Sequence, residues 1–280
     1  MKKFLGFALV LVLSIALAAC GTDKEKDTGS GDSEKDSKKI VVGASNVPHA
    51  EILEKAIPLL KEKGIELEVE TFQDYILPNK ALSNKELDAN YFQHIPYLES
   101  QIEENGYDFV NAGGIHIEPI ALYSQKYKSI DKLPEGATII LSSSVADHGR
   151  ALSLLEKNGL IKLKEGIDKT TATEKDIVEN KKKIKFDAEY EAALLPKIYE
   201  SGEGDAVLIN SNYAIDAGLN PLKDSIAIED SKSPYVNVIA VNKGDENKEA
   251  IKTLVEVLHS KEIQDFILEE YDGAVVPANE

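Results

Sequence analysis

The sequence predicts an α/β protein of two lobes, with the chain crossing from one lobe to the other twice. Three observations carry this expectation. Short apolar runs alternate with amphipathic helical stretches, the pattern of mainly parallel sheets. The first of these, 40–44, 48–63 and 65–69, has strand, helix and strand at the spacing of a right-handed crossover unit. Polar segments at 126–134 and 232–235 then divide the folded part into a first lobe, 40–125 with 236–280, and a second, 126–235.

Ahead of these lobes, Lys2 and Lys3 precede an apolar run at 4–16, shorter than the roughly 20 residues that span a bilayer, so 1–19 read as a secretory signal. The run ends in Leu17-Ala18-Ala19-Cys20-Gly21. Small residues before a cysteine at this position resemble the lipobox of bacterial lipoproteins, whose chain is cut before the cysteine and whose sulfur carries a lipid. Cys20 is the only cysteine, so no thiol remains for a disulfide. Residues 21–39 hold no apolar side chain and make, with lipidated Cys20, a solvated tether over 20–39. The folded part is therefore expected to hang from the extracytoplasmic face of the cell membrane.

The formal charge is −17, and losing Lys2 and Lys3 with the leader (−17 − 2) takes it to −19. Binding nucleic acid rests on neutralising phosphates with lysine and arginine, so nucleic acid is set aside as a partner.

Along the first lobe, Ile52, Leu53, Ala56, Leu59 and Leu60 share one helix face that stops at Gly64. Ile65, Leu67 and Val69 alternate with glutamates as a half-exposed strand. A helical stretch interrupted near Pro78 leads to Leu87-Asp88-Ala89-Asn90-Tyr91-Phe92-Gln93-His94-Ile95-Pro96-Tyr97-Leu98, a strand running into a helix. Three rings, an imidazole, two carboxamides and a carboxylate suit a core or a pocket equally. The end of a strand in an α/β sheet is where pockets sit. In the run 115–124, His116 and Glu118 are two apart and on a strand face one side.

In the second lobe, 138–141 read as a buried strand, Ser142, Ser143 and Ser144 as a loop, and a helix follows to Lys157 with Asn158-Gly159 as its cap. Arg150, the only arginine, is expected in that helix's first turn. There the helix dipole disfavours a cation unless an anion stands near, and a guanidinium fork binds a carboxylate as lysine cannot. The alternative is a surface pair with Asp147 or Glu156. Strands at 181–186 and 205–210 flank a helix at 192–199, with Asn210 and Asn212 at a strand's C-terminal end. The last strand, 235–241, buries Asn237 in an apolar run, so its carboxamide is tied to the backbone or reaches a ligand. Ile251, Leu254, Val255 and Leu258 begin a helical stripe, continued to Tyr271, that is expected to pack back on the first lobe.

Pro48-His49-Ala50-Glu51-Ile52-Leu53, the segment 88–98, His116-Ile117-Glu118-Pro119, Gly149-Arg150-Ala151-Leu152, Asn212-Tyr213-Ala214 and Pro234-Tyr235-Val236-Asn237 follow one another behind the lipobox. In that order they resemble the NlpA lipoprotein family, the methionine-binding lipoproteins of bacterial ABC importers, over essentially the whole mature domain. The resemblance implies a periplasmic-binding-protein-like fold with a ligand cleft between the lobes and a monomeric substrate-binding protein, with no enzymatic activity, cofactor or metal. It implies capture of methionine, as the L-form, the D-form or a methionine peptide, and delivery to the permease and ATPase of a methionine importer. By the same resemblance Arg150 would take the ligand's α-carboxylate, and Asn212 and Asn237 would anchor its polar head. Tyr75, Phe92 and His94 would wall the side-chain pocket, with His116 close by. A thioether packs well against rings, at roughly 0.3–1.5 kcal/mol per contact. The loop from Ser142 to His148 departs from the Asn-Asp-Pro type of many members, which leaves the stereochemical preference open.

Three other readings compete, of which a purely structural surface adhesin explains neither the lone Arg150 nor the buried Asn237. His94, His116 and Glu118 would make a metal-ion-binding lipoprotein. A serine from 142–144 with His148 would make a hydrolase, but there is no Gly-x-Ser-x-Gly elbow and Asp147 is adjacent to His148.

Overall fold

The computed structural model of the chain describes residues 38–278. The expected signal, Cys20 and all of the expected tether except Lys38 and Lys39 lie outside the described residues. Among the described residues no helix is long and apolar enough to cross a membrane.

Residues Lys38 and Lys39 open the first strand, Lys38–Ser45, rather than ending the tether. The strand is parallel both to Ile65–Phe72 and to Ala89–His94, with Val42 opposite Val69 on one side and Ala89 on the other. Val236–Asn242 lies antiparallel between Ala89–His94 and Phe109–Ile117, and Val276–Pro277 closes the far edge of this six-stranded sheet. Helix Glu51–Glu62 buries Ile52, Leu53, Ala56 and Leu60 against it. The C-terminal stripe does pack here, through Ile251, Leu254, Leu258, Ile263 and Ile267. It is two helices, Glu249–Leu258 and Lys261–Glu270, because the Ser260 side chain accepts from the Ile263 N–H and starts the second.

The second sheet has five strands, in the order Ser225–Ile228, Ala121–Tyr123, Ala206–Ile209, Thr138–Ser142 and Lys185–Tyr190. Thr138–Ser142 is parallel to both its neighbours. Its core is separate, with Leu122, Ile139, Leu141, Leu152, Leu155 and Leu208 buried together. The strand expected at 181–186 begins only at Lys185, since Lys183 sits in a turn at φ 51°. A two-stranded ribbon, Ile161–Leu163 with Ile177–Asn180, stands apart from both sheets.

The run 115–124 is divided between the sheets. Phe109–Ile117 belongs to the first and Ala121–Tyr123 to the second. Pro119 falls in the gap, where it has no N–H to continue a ladder. The chain thus leaves the first sheet through 118–120, ahead of the 126–134 segment where the sequence placed the crossing, and returns through 229–235. The two connections are joined: the Glu229 N–H donates to the Ile120 carbonyl (2.9 Å), and the Ile120 N–H to the Glu229 carboxylate (3.3 Å).

Candidate functional site

Between the sheets lies a cavity walled by aromatic rings and a few convergent polar groups, the lining usual for small-molecule sites. Tyr75, Phe92, Gln93, His94, Tyr97 and Asn237 line it from the first lobe. Asp147, Arg150, Asn210, Ser211 and Asn212 line it from the second, and Glu118 from the connection between them. Of the residues anticipated from sequence, Tyr75, Phe92, His94, Arg150, Asn212 and Asn237 meet in this one space, whereas His116 is not among the lining side chains.

The apolar wall is a cluster of rings. Tyr75 stands 5.9 Å from Phe92, 5.8 Å from Tyr97 and 4.9 Å from Tyr213, centroid to centroid. The Tyr75 hydroxyl donates across the cleft to Asn212 Oδ1 at 2.6 Å. The two carboxamides of the 87–98 segment are tied into the core, Gln93 while also lining the cavity. Asn90 donates to Asn79, and Gln93 to both Asn79 and Asn90, within a buried network that holds helix Leu77–Ser83 on the sheet.

His94 ends its strand and caps helix Ile95–Asn105. Its Nδ1 accepts from the Tyr97 N–H at 3.1 Å, so the ring proton is on Nε2, which donates to Asp147 Oδ1 at 3.3 Å. Ser142 Oγ and Asn210 Nδ2 donate to the other Asp147 oxygen. Burial pushes Asp147 up, but the His94 ring, the Arg150 charge and the Asn210 amide together carry it down to about 2.

Arg150 lies in the second turn of helix Val145–Lys157, one turn later than expected, and is 3% exposed. Its Nη2 donates to the Glu118 carbonyl (2.9 Å) and to the Glu229 carboxylate. Nη1 is 3.8 Å from Asp147, and the guanidinium carbon lies 4.4 Å from the Tyr235 ring centroid. The anion implied by a lone arginine near a helix start is therefore supplied partly by the protein itself. Of the two acids expected as surface partners, Asp147 does approach Arg150, but buried, while Glu156 pairs with Lys169; Glu229 has no signal in the local sequence. Nε is buried without a partner among the described residues.

Glu118 adds a carboxylate to the cavity that sequence reasoning reserved for a metal. Burial pushes its carboxyl up, opposed by His49, Arg150 and the Asn212 N–H. The only local signal was Glu118 beside Pro119, a strand end. The metal reading through His94, His116 and Glu118 is not supported, since His94 is turned to Asp147 while His116 Nε2 meets Glu118 Oε1 at 2.7 Å. In the hydrolase reading, His148 would have to activate a serine hydroxyl. Its Nε2 is instead 3.0 Å from the Ser142 carbonyl.

Residues 40–279 match the NlpA lipoprotein family. The methionine-binding lipoprotein MetQ of Bacillus subtilis (strain 168) is 53% identical over 281 residues, covering 100% of this chain and 99% of the relative. The D-methionine-binding lipoprotein MetQ of Escherichia coli (strain K12) is 39% identical over 277 residues, 98% of each chain. Among solved structures, a nutrient binding protein from Burkholderia cenocepacia bound to methionine is similar with a TM-score of 0.80 at 42% identity, over 86% of this chain and 100% of that one. The fold is accordingly the two-lobed periplasmic-binding-protein-like one. By the span and identity of these matches, the chain belongs to the NlpA lipoprotein family.

Proposed function

We propose that the protein captures methionine between its lobes and delivers it to the permease and ATPase of an ABC importer, working as a monomer anchored outside the cytoplasm through lipidated Cys20. The observation that carries this reading is the meeting of Arg150, Glu118 and the Tyr75–Phe92–Tyr97 ring wall in one cavity, drawn from both lobes and the connection between them. Arg150 turns its remaining guanidinium edge to the ligand carboxylate, and Glu118 with the Asn212 and Asn237 carboxamides faces the ammonium. The rings and His94 enclose the thioether, whose polarizable sulfur suits ring edges and faces. Relatives named for methionine and for D-methionine, and the methionine-bound neighbour, support the same ligand. The lobes of this reading are 40–125 with 236–280 and 126–235, trimmed so that 121–123 go with the second sheet.

The test is a thermal-shift panel of L-methionine, D-methionine, short methionine peptides and other amino acids. A ligand at one hundred times its dissociation constant stabilises by about 2.7 kcal/mol. A panel in which no methionine compound raises the melting temperature above the other amino acids ends the proposal.

A further inference from the structure

Glu118 is enclosed, on the side away from the cavity, by three side chains that do not line it. His116 comes from strand Phe109–Ile117, Tyr91 from strand Ala89–His94, and His49 from the turn Asn46–Ala50. All three are at most 1% exposed. The Tyr91 hydroxyl bonds His116 Nδ1. A buried phenol there is the donor, which leaves the His116 proton on Nε2, directed at Glu118 Oε1 2.7 Å away. His49 Nε2 lies 3.1 Å from Asn237 Oδ1 and 3.2 Å from the same Glu118 Oε1. Both are acceptors, so His49 also carries its proton on Nε2, and its buried Nδ1 is without a partner among the described residues. One imidazole N–H is thus bonded to Glu118 Oε1 while a second, bonded to Asn237, lies beside the same oxygen, and His49 packs edge to face on Tyr91 at 4.7 Å.

An uncharged N–H donor, with a second imidazole N–H dipole beside it, stabilises a buried carboxylate without neutralising it. With Oε1 bonded to His116, the remaining acceptor capacity of the carboxylate, shared with the Asn212 N–H, is left for a cationic group in the cleft. We propose that His49, His116 and Tyr91 are positioning residues that hold Glu118 as a carboxylate facing the cleft, and so make the site select ligands bearing a primary ammonium over acids of the same shape without one. This rests on the methionine reading above and deepens it. None of the three touches the ligand; they act through Glu118. It also gives His116, expected close to the ligand, the role of a support behind the cavity.

The experiment titrates the full chain calorimetrically with L-methionine and with 4-(methylthio)butanoate, the same skeleton without its amine. Wild type is expected to prefer methionine by about a hundredfold or more, the range for a buried charge pair losing one partner. His116→Phe, which cannot donate, reduces that ratio by about tenfold or more while changing affinity for the amine-free acid by no more than about twofold. His116→Gln, with an amide N–H near the Nε2 position, restores it. An unchanged ratio in His116→Phe, or equal loss for both ligands, overturns the proposal. If His116→Phe fails to fold, Tyr91→Phe is measured in the same way, and an unchanged ratio there has the same consequence. Tight equimolar binding of Zn²⁺ alone that is lost in His116→Gln also overturns it, because the Nε2 atoms would then be ligands rather than donors. Wild type binding neither organic ligand sinks the methionine reading and the selection with it. Wild type preferring methionine with the ratio indifferent to His116 sinks the selection only.

Discussion

Arg150→Ala separates the two duties that the structure gives one side chain. Sequence reasoning alone expects weaker binding with little change in fold. In the structure the guanidinium is 3% exposed and holds the Glu118 carbonyl at one connection between the lobes and the Glu229 carboxylate at the other. Its removal leaves Glu229, with 12% of its side chain exposed, and Asp147, with 3%, as buried anions short of a cation. Breaking a buried pair from one side costs about 3–5 kcal/mol. For a domain of this size each 1 kcal/mol moves the melting temperature by about 2–4 °C, so a fall of about 6–20 °C is expected. Loss of the carboxylate partner weakens methionine binding by about 2–5 kcal/mol, roughly thirty- to several-thousand-fold. Scanning calorimetry measures the first and isothermal titration the second. Adding Glu229→Gln to Arg150→Ala neutralises the orphaned acid and should recover much of the stability but none of the affinity. A single variant that melts within about 2 °C of wild type would refute the anchoring argument, and one that binds methionine as tightly as wild type would refute the carboxylate assignment.

Three further outcomes follow from the same geometry. Gly149 lies where an added Cβ would overlap the backbone carbonyl oxygens of Lys169 and Thr170, so Gly149→Ala should cost about 1–3 kcal/mol in urea denaturation and displace the neighbouring Arg150; a neutral result would contradict the close approach. Tyr75→Phe removes the cross-cleft bond to Asn212 and should lower stability by about 0.5–1.5 kcal/mol, with no effect at all counting against that bond in solution. Burial holds His49 down at about 4 and His116 at about 3, against an ordinary 6.5. The unfolded chain therefore takes up protons that the folded chain refuses, and stability should fall as pH drops from about 6.5 toward 4, on the order of 3 kcal/mol for His49 alone. Asp147, depressed to about 2, keeps its contribution until the pH falls below its ordinary value of 3.8 and loses it toward 2. Urea midpoints between pH 7.5 and 4.5 measure the histidine effect, and a flat profile there would mean the rings are not held uncharged.

Legibility from sequence followed the range of the interaction. The crossover unit at 38–72 was readable because each of its steps is local: a β run, a 3.6-residue stripe ending at Gly64, then strict alternation. The end of helix Val145–Lys157 was readable for the same reason, from Asn158-Gly159. The passage between lobes was misplaced because a polar, lysine-bearing stretch at 126–134 looks more like a hinge than an apolar run does. The physical break was the single missing N–H of Pro119 inside that apolar run. The ribbon at 161–163 and 177–180 was missed because strands of three and four residues are too short to show a period.

The sequence by itself determined that two α/β cores would form, that rings and carboxamides would gather at strand ends, and that one arginine stood apart from thirty-one lysines. Only the tertiary structure decided how charge is distributed in the cleft. Arg150 meets Glu229 across 79 positions, and His49 meets Asn237 across 188. Such partners are chosen by sheet order and by the two passages between sheets, which bring distant strand ends to one point. A side chain's reach is a few ångströms and its period a few residues, so no local pattern could say that Glu118 would enter the cavity while His116, two residues earlier, stayed behind it.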